Sequence, residues 1–290
     1  MLILGIDFNN MVYGSYYGNP LYNKQGKNVN AIRGFFTKFQ LIFDNLSPDY
    51  VVFANDLSRT NTFRRKLYEN YKAQRKPTDD DIIFQVQQIS ILVKALGFKF
   101  LNDPLYEADD ILGMVSKWCV DNNHDMVIIS SDRDLYQLIN EHVQIYSFIK
   151  HEMINTEYME EHYKLTPSQW IELKMIQGDP SDNIPGIKGI GKVTAQELMN
   201  QYGNINNIYA NINNLKNGIR DKLIAGSNTL PLMRELVTIV TDYNKINFDL
   251  NLLKRSKPDQ ETISNVLYYL QIPSLIPVLN NLAKSYERSL

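Results

Sequence analysis

The first 150 residues alternate between short apolar runs and longer segments that carry apolar positions at helical spacing. Uninterrupted apolar runs are typical of strands that are buried on both faces of a sheet. Strands that alternate with helices form a parallel sheet with both faces covered. Five strands are predicted on this basis: residues 2–7, 50–54, 97–101, 126–130 and 143–148.

Helices are predicted between these strands. Residues 29–46 carry large apolar side chains at helical spacing, and Pro48 ends that element. Thr78, with Asp81 three residues later, forms a capping pattern for a helix that reaches about Leu96. Two further helices are predicted, from Glu107 to about Val120 and from about Leu135.

The strand signal disappears after about residue 150, and the rest of the chain is predicted to be helical. Thr166 and Pro167 begin one helix, because Thr is a common N-cap and Pro is tolerated in the first turn. The Asn-rich stretch 204–217 keeps apolar residues at roughly helical spacing, so poor but ordered helices are expected there. We therefore predict an α/β domain over residues 1–160 and an all-helical region over 161–290.

Acidic side chains recur where the apolar runs end. Ligands of open α/β sheets bind beyond the carboxyl ends of the strands, so acids far apart in sequence should meet at one edge. Gathering so much negative charge requires cations, and oxygen ligands select hard ions such as Mg²⁺ or Mn²⁺. A crowded site of this kind indicates two metal ions and cleavage of a phosphodiester. The nine acids are Asp7, Asp56, Glu107, Asp109, Asp110, Asp132, Asp134, Asp179 and Asp182.

For any one acid alone, a cap or a turn is the better interpretation, and we assign that role to Asp79 and Asp103.

Composition is that of an ordinary globular chain, with 44% hydrophobic residues, 21% charged residues and a net charge of −2 over 290 residues. The single cysteine, Cys119, excludes an intrachain disulfide. Neither a signal peptide nor an apolar run of membrane-spanning length is found, so a reducing cytoplasm is expected.

A basic segment follows the second predicted strand. Residues 59–76 contain seven basic side chains and one acid, a net charge of +6, with Tyr68 and Tyr71 interleaved. Basic residues with aromatics suit a phosphate backbone with stackable bases, although a charge run is more often only a solvated face. Beside the acidic cluster, the segment favours a polyanionic substrate.

The motif GIKGIG, residues 186–191, lies in the helical region. A dinucleotide-binding fingerprint would need a preceding strand, whereas here a helix and Pro185 precede the motif. A hairpin between two helices is the better interpretation, with glycines that let the backbone approach a DNA phosphate and with Lys188 and Lys192 adding charge. A plain helix–helix turn would need fewer glycines.

The motifs DFNNMVYG, FRRKLYENYKAQRKP, YEADDIL, SSDRDLYQL and GDPSDNIPGIKGIGKVTA together resemble the 5′-nuclease family. This family includes the 5′→3′ exonuclease domain of bacterial DNA polymerase I, stand-alone phage 5′-exonucleases and flap endonucleases. The resemblance covers about residues 2–249, and the chain is expected to be a stand-alone nuclease. It implies a PIN-like parallel sheet covered by helices, then a helical part with a helix-hairpin-helix motif at about 183–202.

The resemblance also implies site roles. The first metal would be held by Asp7, Asp56, Glu107, Asp109 and Asp110, and the second by Asp132, Asp134, Asp179 and Asp182. Lys72 and Arg75 match the basic pair at the scissile phosphate. Expected DNA contacts are Arg64, Arg65, Tyr71, Gly186, Lys188, Gly189, Gly191 and Lys192. A K⁺ ion is expected at the helix-hairpin-helix motif, besides the Mg²⁺ or Mn²⁺ ions.

Two positions depart from the family pattern. The family usually has Asp directly after the strand Phe, whereas Ala54 and Asn55 precede Asp56 here. Gly14 stands where the family often has Arg, beside the aromatic Tyr13. A phosphate contact near the first strand is therefore either lost or supplied from elsewhere.

The resulting expectation is a monomeric, metal-dependent 5′→3′ exonuclease and flap endonuclease. It would act on DNA with a free 5′ end or a 5′ flap, with RNA in an RNA–DNA hybrid as an open possibility. It would serve a separate DNA polymerase, in a bacterial or phage-infected bacterial cytoplasm. Residues 59–96 would form a basic arch that selects a free 5′ end.

Three other functions were weighed. A toprim-type site could use SDRD but would leave Asp7 and the EADD motif unexplained. A haloacid-dehalogenase-type phosphatase needs Asp-x-Asp on the first strand, where this chain has Asp7, Phe8 and Asn9. A non-catalytic DNA-junction-binding protein would have a degenerate site, whereas every acid of the family pattern is present.

Overall fold

The computed structural model describes residues 1–18, 20–57 and 61–288, with side chains described to residue 286. Arg59, the first residue of the predicted arch, lies outside these ranges. Six strands form one sheet in the order β3-β2-β1-β4-β5-β6. Their bounds are β1 Leu2–Asp7, β2 Tyr50–Ala54, β3 Lys99–Leu101, β4 Asp125–Ile129, β5 Val143–Ser147 and β6 Glu152–Ile154.

The first five strands are parallel, as predicted, and β1 lies at the centre between β2 and β4. The last strand, β6, runs antiparallel to β5, so the sheet is mixed and the prediction of no strand after residue 150 is wrong. The chain reverses direction after β5 in a turn that has His151 in the left-handed region, and only the three residues that follow pair with β5. Such a short edge strand carries no apolar run that a sequence could reveal.

In the described part of residues 1–163, six α-helices accompany the sheet. They are α1 Phe8–Tyr16, α2 Asn30–Leu46, α3 Phe63–Leu67, α4 Asp80–Ala95, α5 Ala108–Asp121 and α6 Thr156–Tyr163. The first of them was not predicted. It begins directly at the end of β1, where the Asp7 carboxylate accepts a hydrogen bond from the Asn10 amide at 3.2 Å. The helix predicted near Leu135 is a 3₁₀ turn over Asp134–Leu138.

The start of α4 differs from the predicted cap. The N-cap is Asp79, without a side-chain bond, whereas the Thr78 hydroxyl lies 3.0 Å from the Tyr13 hydroxyl. Asp103 takes the predicted turn role and accepts a hydrogen bond from the Leu105 amide at 2.7 Å. Helix α4 buries Ile89 and other apolar side chains against α2, so this half of the predicted arch is part of the protein body.

The remaining helices follow one another without a strand in residues 161–288. They are α7 Pro167–Gln177, α8 Lys192–Tyr202, α9 Ile205–Ala210, α10 Asn217–Gly226, α11 Leu230–Val237, α12 Gln260–Leu270 and α13 Ile276–Lys284. The Asn-rich stretch is helical, as predicted, and Asn204 caps α9 by accepting a bond from the Asn207 amide at 2.8 Å. No helix in the described ranges is long and apolar enough to cross a membrane.

The two faces of the sheet are covered differently. One face packs a cluster of aromatic side chains, including Phe8, Phe39 and Phe53, against α2 and α4. The last two helices, α12 and α13, return to this same face. The other face packs against α5, with α7 and α8 in the same continuous core. The helical region therefore contacts both sides of the N-terminal layer and holds its own acids close to the sheet edge.

Candidate active site

Four of the predicted acids gather at the carboxyl edge of the sheet. Asp7 ends β1, and its carboxylate accepts a hydrogen bond from the Ser130 hydroxyl at 2.8 Å, just beyond β4. Asp132 follows two residues later. Asp56, after β2, accepts a bond from the Ala108 amide at 2.7 Å, which brings it to the first turn of α5 beside Asp109.

These acids repel one another, and their pKa values show it. Burial and the neighbouring Asp132 charge raise the pKa of Asp7 to about 7. Burial and the Asp132 and Asp7 charges raise the pKa of Asp109 well above its usual value. Burial and Asp132 also raise the pKa of Asp134 to about 7. In the absence of further cations, Asp7, Asp109 and Asp134 therefore retain their protons to a higher pH than an isolated carboxyl group does.

The second group of acids is partly compensated by a lysine that the sequence did not single out. Lys174, in the last turn of α7, lies 2.6 Å from the Asp134 carboxylate and also pairs with Asp179. Burial raises the pKa of Asp179, but the hydrogen bonds from Lys174 and Ser181 outweigh burial and lower it. The sequence contains one indication of this pair: Lys174 lies five residues before Asp179, with the last turn of α7 and Gly178 between them.

Glu107 and Asp110 face a buried arginine instead of open space. The Arg64 guanidinium makes two bonds to Asp110, at 2.6 and 2.7 Å, and one to Glu107 at 3.1 Å. It also donates to the carbonyls of Leu236 and Thr238. Asp110 is fully buried and accepts from the Glu107 and Val240 amides as well.

This network corrects two expectations. Arg64 is 3% exposed and bonded throughout, so it is not placed to contact DNA. The oxygens of Asp110 are already occupied, so this carboxylate is not placed to bind a metal. Instead, Arg64 connects α3 and α5 to the C-terminal end of α11, because buried charges require a partner in close contact.

The segment after α3 places two basic side chains in contact with the acids. The Lys72 ammonium lies 2.6 Å from a Glu107 oxygen and 3.6 Å from Asp182, and Arg75 lies 2.6 Å from Asp182. Burial lowers the pKa of Lys72, but the Glu107 and Asp182 charges outweigh it and raise that pKa above its usual value. Burial raises the pKa of Glu107, but the Lys72 and Arg64 charges outweigh burial and lower that pKa below its usual value.

Backbone contacts fix the position of Lys72. Its φ of +53° is in the left-handed region, and its amide donates to the Asp182 carbonyl at 2.9 Å. Such conformations are unfavourable for a side-chain-bearing residue and are found at functional sites.

Tyr71 is 4% exposed, with its hydroxyl 2.8 Å from Glu107 and 3.2 Å from Asp182. The expected DNA contact by Tyr71 is therefore wrong, because this buried ring is not placed to stack on a base. Arg65 donates to the Tyr71 carbonyl at 2.6 Å.

Helices α7 and α8 are joined by the predicted hairpin. Gly178 and Gly186 both have positive φ and lie back to back, so a Cβ on Gly186 would come 2.3 Å from the Gly178 nitrogen. Gly186 therefore serves packing and is not placed to approach DNA. Gly189, with φ of +81°, is the third residue of a turn closed by the Ile190 amide and the Ile187 carbonyl at 3.0 Å.

The outer side of the hairpin is open. Lys188 and Lys192 are exposed, and nothing lies within 4 Å of a Cβ built on Gly191, which precedes the first residue of α8. The backbone at Gly191 can therefore be approached closely. This arrangement offers exposed positive charge and a helix N-terminus on one surface.

Gly14 has a structural reason in this chain. A Cβ at this position would lie 2.4 Å from the Phe148 ring, so the family arginine has no room unless the ring moves. The Lys38 ammonium, from α2, donates to the Gly14 carbonyl at 3.2 Å and to the Ser15 hydroxyl at 3.3 Å. Positive charge is thus present at this point without an arginine on α1.

Comparison with known proteins identifies the family of this chain. A family model described as "5′-3′ exonuclease, N-terminal resolvase-like domain" matches residues 2–164, and "5′-3′ exonuclease, C-terminal SAM fold" matches residues 165–261. The chain belongs to the 5′-3′ exonuclease family. It is a nuclease by that membership, and its mixed sheet with a helical C-terminal part is the family fold.

Curated relatives of this exonuclease are longer. The thermostable DNA polymerase I of Thermus thermophilus is 34% identical over 275 residues, which are 94% of this chain and 32% of the polymerase. DNA polymerase I of Deinococcus radiodurans is 35% identical over 279 residues, 94% of this chain and 29% of that protein. The chain thus spans about a third of the length of these relatives.

Solved structures show the same fold over the whole chain. The T5 D15 protein, co-crystallised with metal ions, superposes with a TM-score of 0.68 at 19% identity and covers 100% of this chain and 99% of its own. The catalytic core of Rad2 in complex with DNA substrate has a TM-score of 0.59 at 18% identity, covering 95% of this chain and 92% of its own. At these identities the likeness establishes the fold.

The raised pKa of Asp7 predicts a pH-dependent stability. Because the folded state holds this proton more tightly than the unfolded state, its contribution to folding is lost as pH rises from about 4 to about 7. In EDTA, Asp7→Asn should therefore gain stability relative to wild type across this range, by an order of a few kcal/mol. Urea unfolding of both proteins at several pH values measures the difference. A pH-independent difference would contradict the prediction.

The buried network predicts that Arg64 acts on folding. Arg64→Met leaves the Glu107 and Asp110 carboxylates buried without a cation, which should lower the free energy of unfolding by about 3–5 kcal/mol. Arg65→Met is the matched control, since Arg65 is partly exposed and should cost less than about 1 kcal/mol. Urea unfolding compares the two, and equally small losses would show that Arg64 is not the structural partner of these acids.

Proposed function

We propose that this chain is a Mg²⁺- or Mn²⁺-dependent 5′→3′ exonuclease and structure-specific flap endonuclease of DNA. One observation carries the proposal: two cations contact the cluster of acids. Lys72 pairs with Glu107, and Arg75 pairs with Asp182. A site with carboxylates for metal ions and cations for a phosphate is suited to a phosphodiester substrate.

The residues fit divalent metal ions, by the chemistry of the donor set. Burial and repulsion by neighbouring carboxylates, above all Asp132, raise the pKa values of Asp7, Asp109 and Asp134, and a bound cation would relieve that repulsion. Within residues 1–18, 20–57 and 61–288, no three acidic, histidine or cysteine side chains already surround one point, so binding would require carboxylates to reorient.

We assign the two sites as follows. Three carboxylates at the sheet edge would hold the first ion, and Asp132 together with the carboxylates next to Lys174 and Arg75 would hold the second. When bound, such ions activate water and stabilise charge on the attacking and leaving oxygens of a phosphodiester. Metal donors in the first group are Asp7, Asp56 and Asp109, and in the second group Asp132, Asp134, Asp179 and Asp182. Asp110 instead orients Arg64, whereas Glu107, which pairs with Lys72, stays a predicted further ligand of the first ion.

The lysine and arginine of the basic segment would bind the scissile phosphate. Lys72 stays charged at neutral pH, because its raised pKa follows from the Glu107 and Asp182 charges that outweigh burial. In the structure its ammonium is paired with Glu107, so phosphate binding replaces or shares that contact. A cation held at this point is oriented before the substrate arrives, which favours the transition state over the ground state.

The remaining surfaces support a DNA substrate. Residues 61–76 supply basic charge beside the acids, and the hairpin supplies Lys188, Lys192 and the open backbone at Gly191. A T5 flap endonuclease and the Rad2 core, both of this fold, were solved with DNA. Cleavage of RNA in RNA–DNA hybrids, action as a monomer and service to a separate polymerase belong to the same proposal. So does the division into domains 1–160 and 161–290.

The proposal is tested on a 5′-labelled flap. Wild type should release short products with Mg²⁺ and none with EDTA. Asp132→Asn combined with Asp134→Asn should reduce the cleavage rate by at least about a thousandfold, because charge stabilisation by the second ion is lost. Binding in EDTA should persist or improve, because two negative charges near the phosphates are removed. Near-wild-type turnover by the double variant would exclude these acids as metal ligands.

Lys72→Ala should lower the rate of the chemical step more than it weakens binding. One lysine contributes little to an affinity that the whole basic segment provides, whereas a positioned cation acts mainly in the transition state. Single-turnover rates should fall roughly a hundredfold while Kd changes less than about tenfold.

Lys66→Ala, an exposed lysine in α3, is the matched control and should affect only Kd. If Lys72→Ala keeps its rate at saturating enzyme and only Kd changes, Lys72 is a backbone contact and not a transition-state residue.

A further inference from the structure

The hairpin between α7 and α8 carries a lysine from a third helix. Lys222, in α10, is exposed, and its ammonium donates to the Gly189 carbonyl at 3.0 Å. Its side chain lies along the glycine, because a Cβ built at Gly189 would come 3.0 Å from Cε and 3.3 Å from Cδ of Lys222. The glycine therefore provides the space in which this lysine crosses the turn.

The carbonyls of the turn accept hydrogen bonds, and one of them accepts from an ammonium group. The Ile187 carbonyl accepts from the Ile190 amide at 3.0 Å, and the Gly191 carbonyl accepts from the Ala195 amide at 2.9 Å. The Gly189 carbonyl accepts from Lys222. A potassium ion bound by such a hairpin would need these carbonyl oxygens as ligands, because GIKGIG contains no carboxylate. The Lys222 ammonium already lies against one of these oxygens and would repel a second cation, so the residues present do not fit the K⁺ ion that the family resemblance implies.

We propose that the Lys222 ammonium takes the place of a monovalent cation at this hairpin. An ammonium group and K⁺ carry the same charge and both bind carbonyl oxygens. Lys222 thus neutralises the negative end of the Gly189 carbonyl and adds positive charge beside Lys188 and Lys192. Duplex binding by this chain then requires no free K⁺. The inference rests on the proposed function of the hairpin as a duplex contact.

A purely structural role for Lys222 predicts something different. If the lysine only ties α10 to the hairpin, its removal lowers the stability of the protein but gives no dependence on the type of salt cation. If it substitutes for an ion, its removal leaves the Gly189 carbonyl open, and K⁺ in solution can restore binding. Ion selectivity in the variant therefore separates the two roles.

The experiment measures binding of a fluorescent flap with duplex arms by anisotropy, in EDTA to prevent cleavage. Wild type should bind equally, within about twofold, in KCl, NaCl and LiCl of the same ionic strength. Lys222→Met should bind roughly five- to tenfold more weakly in 0.1 M LiCl, since one phosphate-neutralising charge is lost, and KCl should restore part of the affinity. Lys222→Arg should behave as wild type. Thermal unfolding checks that each variant is folded, and Lys222→Gln replaces Lys222→Met if the latter is not.

Lys216→Met is the matched control, because Lys216 is an exposed lysine at the N-cap of the same helix. It should lower affinity slightly and equally in all three salts. Wild-type binding that is several-fold tighter in KCl than in LiCl would overturn the inference, as would a Lys222→Met variant indifferent to the cation. If wild type fails to bind the duplex in any salt, the proposed function of the hairpin is itself wrong, and the inference falls with it.

Discussion

Repulsion among carboxylates is the constraint on which the rest of this structure depends. Nine acids from five parts of the chain converge near one edge of a sheet, and such a cluster costs several kcal/mol unless cations are close. Four cations partly compensate this charge, and each lies within ion-pair distance of at least one acid: Arg64, Lys72, Arg75 and Lys174. Asp7 and Asp109, which none of these cations pairs with, have raised pKa values.

The same ion pairs connect the two halves of the protein. Lys72 and Arg75 come from the segment between β2 and α4, whereas Asp182 lies between α7 and α8. Lys174 joins α7 to Asp134 beyond β4. Through these contacts the helical region is fixed relative to the sheet, and the hairpin stands at a defined distance from the acids. A substrate that displaces Lys72 or Arg75 therefore acts on both halves at once.

Much of this arrangement follows from the sequence. The five parallel strands are apolar runs, and the topology rule for open sheets places Asp7 and Asp132 at one edge. Partners of the acids could not be predicted in the same way. Arg64 belongs to a basic segment that suits a solvated or DNA-binding face, and only its burial against Asp110 shows another role.

Other features depend on contacts between distant residues. Lys222 is 33 positions from Gly189, and no local pattern indicates that the two meet. Strand β6 and helix α1 are short and carry polar residues, so local hydrophobicity is a weak signal for both. The reason for Gly14 is the Phe148 ring, which lies on a different element. In each case tertiary packing, and not the local sequence, decides the structure.

Calorimetric titration of the metal-free protein with Mn²⁺, in buffers of different ionisation enthalpy, tests the central claim most directly. If crowded carboxylates keep protons until cations arrive, metal binding at pH 6.5 should release protons, and the release should shrink by pH 8. Asp7→Asn and Asp134→Asn should each reduce the number released. Metal binding without proton release at pH 6.5 would contradict the account, because the acids would then already be ionised and compensated within the protein.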